Sequence, residues 1–239
     1  MSRILMLGSA PMAAEAVTWP RQPFDDIVAI NNAWQLRRDW DFAIYPWDFP
    51  EDRHPVAGPK QRLVTEAEFV PAQNAYGGFV YAGATMAFTT GYWALYTLQP
   101  SVIAVFGCDM HYPAQGPTHF YGTGSPDPLR RDITLRSLEA KSARLLVLAA
   151  LQGCAVVNLS SGPSRLLFPR TSTAASERAR PRTFNPEMAA AATEAEAKLG
   201  YFVPSGRYWE EAERFDPVEL DRVDTLWMAA AAIPQRQTA

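Results

Sequence analysis

The chain predicts an α/β fold, a Rossmann-like, doubly wound and mainly parallel sheet with a helical C-terminal extension. Three observations carry that expectation. Apolar runs alternate with helical patterns along the first 170 residues. The runs are short enough to be buried in a parallel sheet, and they end at Gly, Asn or Pro, where a strand must turn into its crossover. A length of 239 residues with 48% hydrophobic and 20% charged side chains suits one such domain with an appendage, or two small domains, and excludes disorder over most of the chain.

Arg3 to Leu7 is the first strand, closed by Gly8-Ser9-Ala10-Pro11, and Pro11 is well placed near the start of a helix over Met12 to Thr18. Asp26 to Ile30 is a second strand ending at Asn31-Asn32, and Phe42 to Tyr45 a third ending at Pro46-Trp47. Residues 48–78, rich in Pro, Gly and charge, read as excursions over the carboxyl edge with one weak strand at Arg62-Leu63-Val64. Gly83 to Leu98 is a helix whose Gly83, Ala84, Ala87 and Gly91 allow close packing on a sheet, and Val102 to Phe106 is the clearest central strand. After a loop from Gly107 to Asp127, Asp127-Pro128 is a helix start, with Asp as N-cap. Leu135, Leu138, Ser142, Leu145 and Ala149 share one face until Gly153, and the strand Ala155 to Asn158 follows.

The composition shifts after Arg170. Residues 1–170 form the predicted Rossmann-like sheet domain, 171–182 a Ser, Ala, Arg and Pro-rich linker, and 183–239 a helical extension with helices at Pro186 to Leu199 and Pro217 to Ala232. The extension carries a net charge of −5 against +2 for the first 182 residues. Its hairpin could pack on the back of the sheet, close over the site through Tyr201, Phe202, Tyr208 and Trp209, or join a second subunit in a homo-oligomer.

With a formal charge of −3 and no basic run, nucleic acid is not an expected partner. The longest apolar stretches fall far short of the roughly 20 residues of a membrane helix, and the apolar run after Arg3 is too short for a signal peptide, so a cytoplasmic protein is expected. Cys108 follows one strand and Cys154 begins the next, at opposite ends of the sheet where no disulfide can reach. Two cysteines without a CxxC argue against structural zinc.

In an open parallel sheet ligands bind outside the carboxyl ends of the strands, which selects Gly8 to Met12, Asn31-Asn32, Gly107 to Tyr112 and Asn158 to Ser161. The Gly8 loop could present backbone N–H groups to a phosphate. It could equally be a plain strand-to-helix turn, for it lacks both the GxGxxG spacing and the P-loop lysine. The loop running from Gly107-Cys108-Asp109-Met110-His111-Tyr112 to Thr118-His119-Phe120-Tyr121-Gly122 holds two of the three histidines. Three readings of it stand: Asp109 capping the loop over packed His111 and Tyr112, a metal bound by Asp109, His111 and His119, or acid/base work by a histidine titrating near neutrality.

These residues resemble a known family, the bacterial metal-independent sialyltransferases of lipooligosaccharide synthesis. That family opens with strand, Gly-Asn-Gly-Pro-Ser and helix, to which Gly8-Ser9-Ala10-Pro11-Met12 is similar, and an Asn like Asn31 ends its second strand. Its Ser-Gly before a long helix is similar to Ala82-Gly83, its Gly-x-Asp-Phe-Tyr to Gly107 through Tyr112, and its Ser-His-Tyr-x-Gly to Thr118 through Gly122. Leu159 to Leu166, with Ser160 and Ser161, is similar to the stretch after its last strand, so the resemblance spans about residues 3–168. Met12 and Ala82 stand where the family has serines, and the Gly107 motif is one residue longer.

The resemblance implies inverting transfer of a sugar from a cytidine-monophosphate sugar to an acceptor hydroxyl of a glycan, with His119 as general base and Tyr112 catalytic. It implies a nucleotide-sugar site made of Gly8, Ser9, Ala10, Pro11, Asn31, Asn32, Gly83, Asp109, His111, Tyr121, Ser160 and Ser161, and no metal or cofactor. The alternatives are another transferase on the same fold, such as a pterin pyrophosphokinase, and a non-catalytic nucleotide-binding or scaffold protein. Asp39-Trp40-Asp41 matches a metal-binding Asp-x-Asp, but it precedes its strand at the edge opposite the site and reads as a turn. Trp47, Trp93, Trp209 and Trp227 could stack on sugars or anchor the core. The segments assigned to the site contain no Lys or Arg, and Arg130 and Arg131 are the nearest cations able to swing over it.

Overall fold

The structure, a computed structural model, describes residues 2–124 and 127–232. The N-cap read at Asp127 lies outside the described side chains. Six strands, β1 (Arg3–Leu7), β2 (Asp26–Ile30), β3 (Phe42–Ile44), β4 (Arg62–Val64), β5 (Val102–Phe106) and β6 (Ala155–Asn158), form one all-parallel sheet in the order β4-β3-β2-β1-β5-β6. The chain steps outward from β1 to β4 and then returns to pair β5 on the other side of β1. That reversal makes the β1/β5 boundary the topological switch point, where ligands of such sheets sit.

Strand residues alternate between two cores, as a period of two demands. Leu5, Leu7, Ile27, Ala29 and Phe106 face one layer of short 3-10 segments, while Ile4, Met6, Val28, Ile103 and Val105 face the α-helices. The helix expected over Met12 to Thr18 is a 3-10 helix, Pro11–Thr18. Its buried residues are Ala13 and Ala16, three apart, the spacing that a three-residue turn places on one face.

Four further expectations are corrected. Residues 66–74, read as part of an excursion, form helix α1 (Glu66–Asn74), which buries Phe69, Ala72 and Gln73 despite Pro71. The helix expected from Gly83 starts later, as α3 (Met86–Thr97), because Gly83 at φ +87° ends a short helix that the pattern did not show, α2 (Phe79–Ala82), and Thr85 opens α3 as an N-cap to Phe88. The helix expected from Asp127 begins only at Ser137, after two 3-10 turns, and runs as α4 (Leu138–Leu151). The segment read as a linker contains a one-turn helix, α5 (Thr173–Ser176).

Beyond it, α6 (Pro186–Leu199) and α7 (Pro217–Ala231) stand where expected, joined through a 3-10 helix, Tyr208–Arg214, that the pattern did not announce. They cover the outer side of α4, whose inner side holds Leu138, Leu145 and Ala149 against the sheet. A helix buried on both sides must neutralise its charges internally. Lys141 Nζ meets Asp224 Oδ1 at 2.7 Å, and Arg144 reaches Glu196 through Nε and one terminal nitrogen, both at 2.8 Å. Arg136 adds a surface pair to Asp221 at 2.5 Å. These partners give the charge imbalance between the two halves of the sequence a physical role: the acids of the extension meet the bases of α4.

Cys108 and Cys154 are both buried free thiols. Trp93 and Trp227 are core residues, whereas Trp47 and Trp209 are exposed. No helix among the described residues is long and apolar enough to cross a membrane.

Candidate functional site

The switch point is built by two glycines. Gly8 N–H donates to Phe106 O (2.8 Å) and Ala10 N–H donates to Gly107 O (2.9 Å), so the loops after β1 and β5 run against each other. A Cβ at Gly8 would stand 2.3 Å from Gly107 O, and Gly107 itself holds φ +73° with Ala13 beneath it. Only glycine fits either position. Between the loops opens a cavity of about 190 Å³.

Of the residues expected at the site, Gly8, Ser9, Ala10 and Asn31 line one side of this cavity, and Asp109, His111, Tyr112, His119 and Tyr121 line the other. Five do not. Pro11 and Ser161 are exposed and Gly83 is buried against Phe88 and Lys141. Asn32 turns into its own 3-10 segment, accepting from Gln35 Nε2 at 3.3 Å. Ser160 is buried one layer behind, where it holds Asp109. Sequence reasoning missed Thr85, Met86 and Ala87, which place the N-terminus of α3 at the cavity. Reading Thr85 as an N-cap, in place of starting the helix at Gly83, is the signal that could have found them.

Asn31 adopts φ +51°, a left-handed conformation uncommon for non-glycine residues and one that Asn tolerates better than most. Its Oδ1 is buried without a hydrogen-bond partner among the described residues. Asp109 is only 4% exposed yet meets no cation among the described residues; its Oδ1 accepts from Asn158 Nδ2 (3.0 Å) and its Oδ2 from the Ser160 hydroxyl (2.6 Å). Asn158 Oδ1 accepts in turn from Ser160 N–H at 2.9 Å, which orients its amide. The carboxylate is thus fixed by two neutral donors from the end of β6.

His119 rides on a tight turn in which its N–H donates to Gly122 O (2.9 Å) and Gly122 N–H donates back (3.1 Å). Phe120 N–H donates to Ser9 O at 3.0 Å, tying this turn to the Gly8 loop. The imidazole stacks on Tyr121 at 4.9 Å between centroids and lies 5.9 Å from the Tyr112 ring. Partial burial lowers its pKa below the ordinary 6.5, so the ring is neutral at pH 7. Burial pushes the Cys108 thiol the other way, upward, which leaves it protonated and a poor nucleophile.

No lysine or arginine lines the cavity among the described residues. Arg130 does not swing over it. It pairs with Asp132 (3.0 Å) and donates to Ala84 O (3.0 Å) and to Tyr208 Oη (3.3 Å). Arg131 is exposed. Among the described residues no group of three His, Cys, Asp or Glu side chains is placed to hold a metal ion, so Asp109, His111 and His119 share a cavity without forming a ligand set. Asp39 accepts two hydrogen bonds from Arg37, and Asp41 accepts from Ile27 N–H and Arg21, so both acids of the Asp-x-Asp triplet serve local structure.

None of the described lining residues comes from 183–232. Tyr201 stacks on Tyr81 and Tyr208 on Phe79, which places the aromatic segment on α2 and α4 in place of the mouth of the cavity. Comparison of the chain with known protein families, with curated proteins and with solved structures found no match.

Proposed function

We propose that the chain is a metal-independent glycosyltransferase, sialyltransferase-like, that takes a cytidine-monophosphate-activated acidic sugar as donor and a glycan hydroxyl as acceptor. The observation that carries this reading is the neutral, partly buried imidazole of His119 beside Tyr112 and Tyr121 at the β1/β5 crevice. In the step, His119 takes the proton of the acceptor hydroxyl while that oxygen attacks the anomeric carbon. The bond from this carbon to the phosphate oxygen breaks, cytidine monophosphate leaves with the electron pair, and the centre inverts.

A neutral donor such as the Tyr112 hydroxyl and the backbone N–H groups of the Gly8 loop and of α3 suit one departing phosphate. A diphosphate carries more charge than a wall without Lys or Arg can balance. The test is thermal-shift titration with cytidine monophosphate, uridine diphosphate and guanosine diphosphate, with and without EDTA. The reading expects the monophosphate to stabilise most and EDTA to change nothing. A uridine diphosphate shift that needs a divalent metal would overturn it.

A second reading, nucleotide binding without turnover, is favoured by Met12 and Ala82, which stand where the resembled family has serines. Saturable binding of cytidine monophosphate with no release from its sugar conjugates would select it.

A further inference from the structure

We infer that Thr118 is a positioning residue that holds neutral His119 in the tautomer with the proton on Nδ1, leaving Nε2 as the basic nitrogen. Thr118 is 8% exposed, and its hydroxyl has three polar neighbours. Gly124 N–H donates to Oγ1 at 2.8 Å, Gly124 O lies 3.0 Å away, and His119 Nδ1 lies 2.9 Å away. A hydroxyl owns one proton. A carbonyl can only accept, so the threonine proton goes to Gly124 O; otherwise two sets of lone pairs would face each other at 3.0 Å in a partly buried turn. Oγ1 is then left as an acceptor towards the ring, and Nδ1 must bring the proton.

The turn is cut to fit this arrangement. A Cβ at Gly124 would stand 2.9 Å from His119 Nδ1 and 3.1 Å from Cε1, so only a residue without a side chain lets the ring sit against the hydroxyl. The ring is stacked on Tyr121, which fixes its plane. The same chain supplies an internal contrast: His54 Nε2 lies 2.9 Å from Phe49 O, a pure acceptor, so that ring carries its proton on Nε2. The bound nitrogen thus carries a proton in both rings, Nδ1 in His119 and Nε2 in His54, as set by the group it meets.

The assignment of the proton stands on the turn alone; its catalytic meaning rests on the function proposed above, because a base needs its free nitrogen on the reacting side. The test has a readout for each part. In ¹⁵N-histidine-labelled protein, long-range ¹H–¹⁵N correlation separates the two neutral tautomers, and His119→Ala identifies the signal. The expected pattern is Nδ1–H for His119 and Nε2–H for His54, with Thr118→Ser keeping it and Thr118→Val moving His119 towards a mixture. Nε2–H for His119 in the wild-type chain overturns the inference, with no variant needed.

In a transfer assay, Thr118→Val is expected to lower kcat several-fold, as the share of His119 in the Nδ1–H tautomer falls, with KM little changed and with Thr118→Ser restoring the rate. An Nδ1–H signal in a chain with no transferase activity would leave the tautomer standing and refute the proposed function. Full kcat in Thr118→Val would refute the positioning role.

Discussion

A methyl group on Gly8 would stand 2.3 Å from the carbonyl oxygen of Gly107 and 2.5 Å from Cys108 Sγ. The ends of β1 and β5 are therefore in backbone contact, and the cavity exists because neither loop carries a side chain at the crossing. Gly8→Ala is expected to destabilise the protein by about 1–3 kcal/mol or more, as overpacking against unyielding backbone does, and to abolish nucleotide binding. Urea denaturation and a binding titration check both. A variant of wild-type stability would mean that the two loops move apart freely.

The pH dependence follows from His119. Its pKa is lowered in the folded state by burial, so between that value and the ordinary 6.5 the unfolded chain takes up a proton that the native chain does not. Stability is then fully present above pH 6.5 and declines as pH falls below it, until the native ring also protonates. The base should likewise stay active as pH falls through 6.5, with the acid limb of kcat/KM below that point. A limb at or above 6.5 would contradict the burial effect.

Asp109 sets a charge against the proposed donor. Two like charges about 10 Å apart at an effective dielectric near 20 repel by roughly 1–2 kcal/mol, so Asp109→Asn should tighten cytidine monophosphate about tenfold. The amide keeps the shape and can still accept from Asn158, whereas Asp109→Ala strands the Ser160 and Asn158 donors and should cost about 1–3 kcal/mol for each group left unpaired. Calorimetric titration of both variants is the check. Weaker binding in a stable Asp109→Asn would make the carboxylate a ligand-binding group.

Truncation after Arg182 removes Glu196 and Asp224 and leaves Arg144 and Lys141 on α4 beside the newly opened apolar surface of Val80, Tyr81 and Val147. The fragment is expected to aggregate or to lose its cooperative transition. A monomeric fragment that unfolds cooperatively near the wild-type temperature would show the extension to be dispensable.

The strands other than β4 and their parallel arrangement are legible because short apolar runs of three to five residues bounded by Gly, Asn or Pro have few other uses. The missed helix α1 contains Pro71 and reads as polar, and its helicity depends on the burial of Phe69 and Ala72 beneath α3, a tertiary effect that no local pattern carries. Lys141 and Arg144 lie off the apolar face read for this helix, yet both are buried, and their partners lie more than 50 residues away in sequence, beyond any local pattern. At the site, nine of fourteen expected side chains or backbone groups converge on the cavity. Ser160 shows why the rest did not. It belongs to the carboxyl edge in sequence, but its hydroxyl is used up holding Asp109.

The central claim, that His119 is the base of a transfer from a cytidine-monophosphate sugar, is tested most directly by following cytidine monophosphate release in the wild-type chain and in His119→Ala, with the nucleotide's Kd measured on both. The expected result is acceptor-dependent release by the wild type and a loss of about 100-fold or more in the variant, at an unchanged Kd and an unchanged melting transition. Equal turnover by the two proteins, or no release by a wild-type chain that binds the nucleotide, would contradict it.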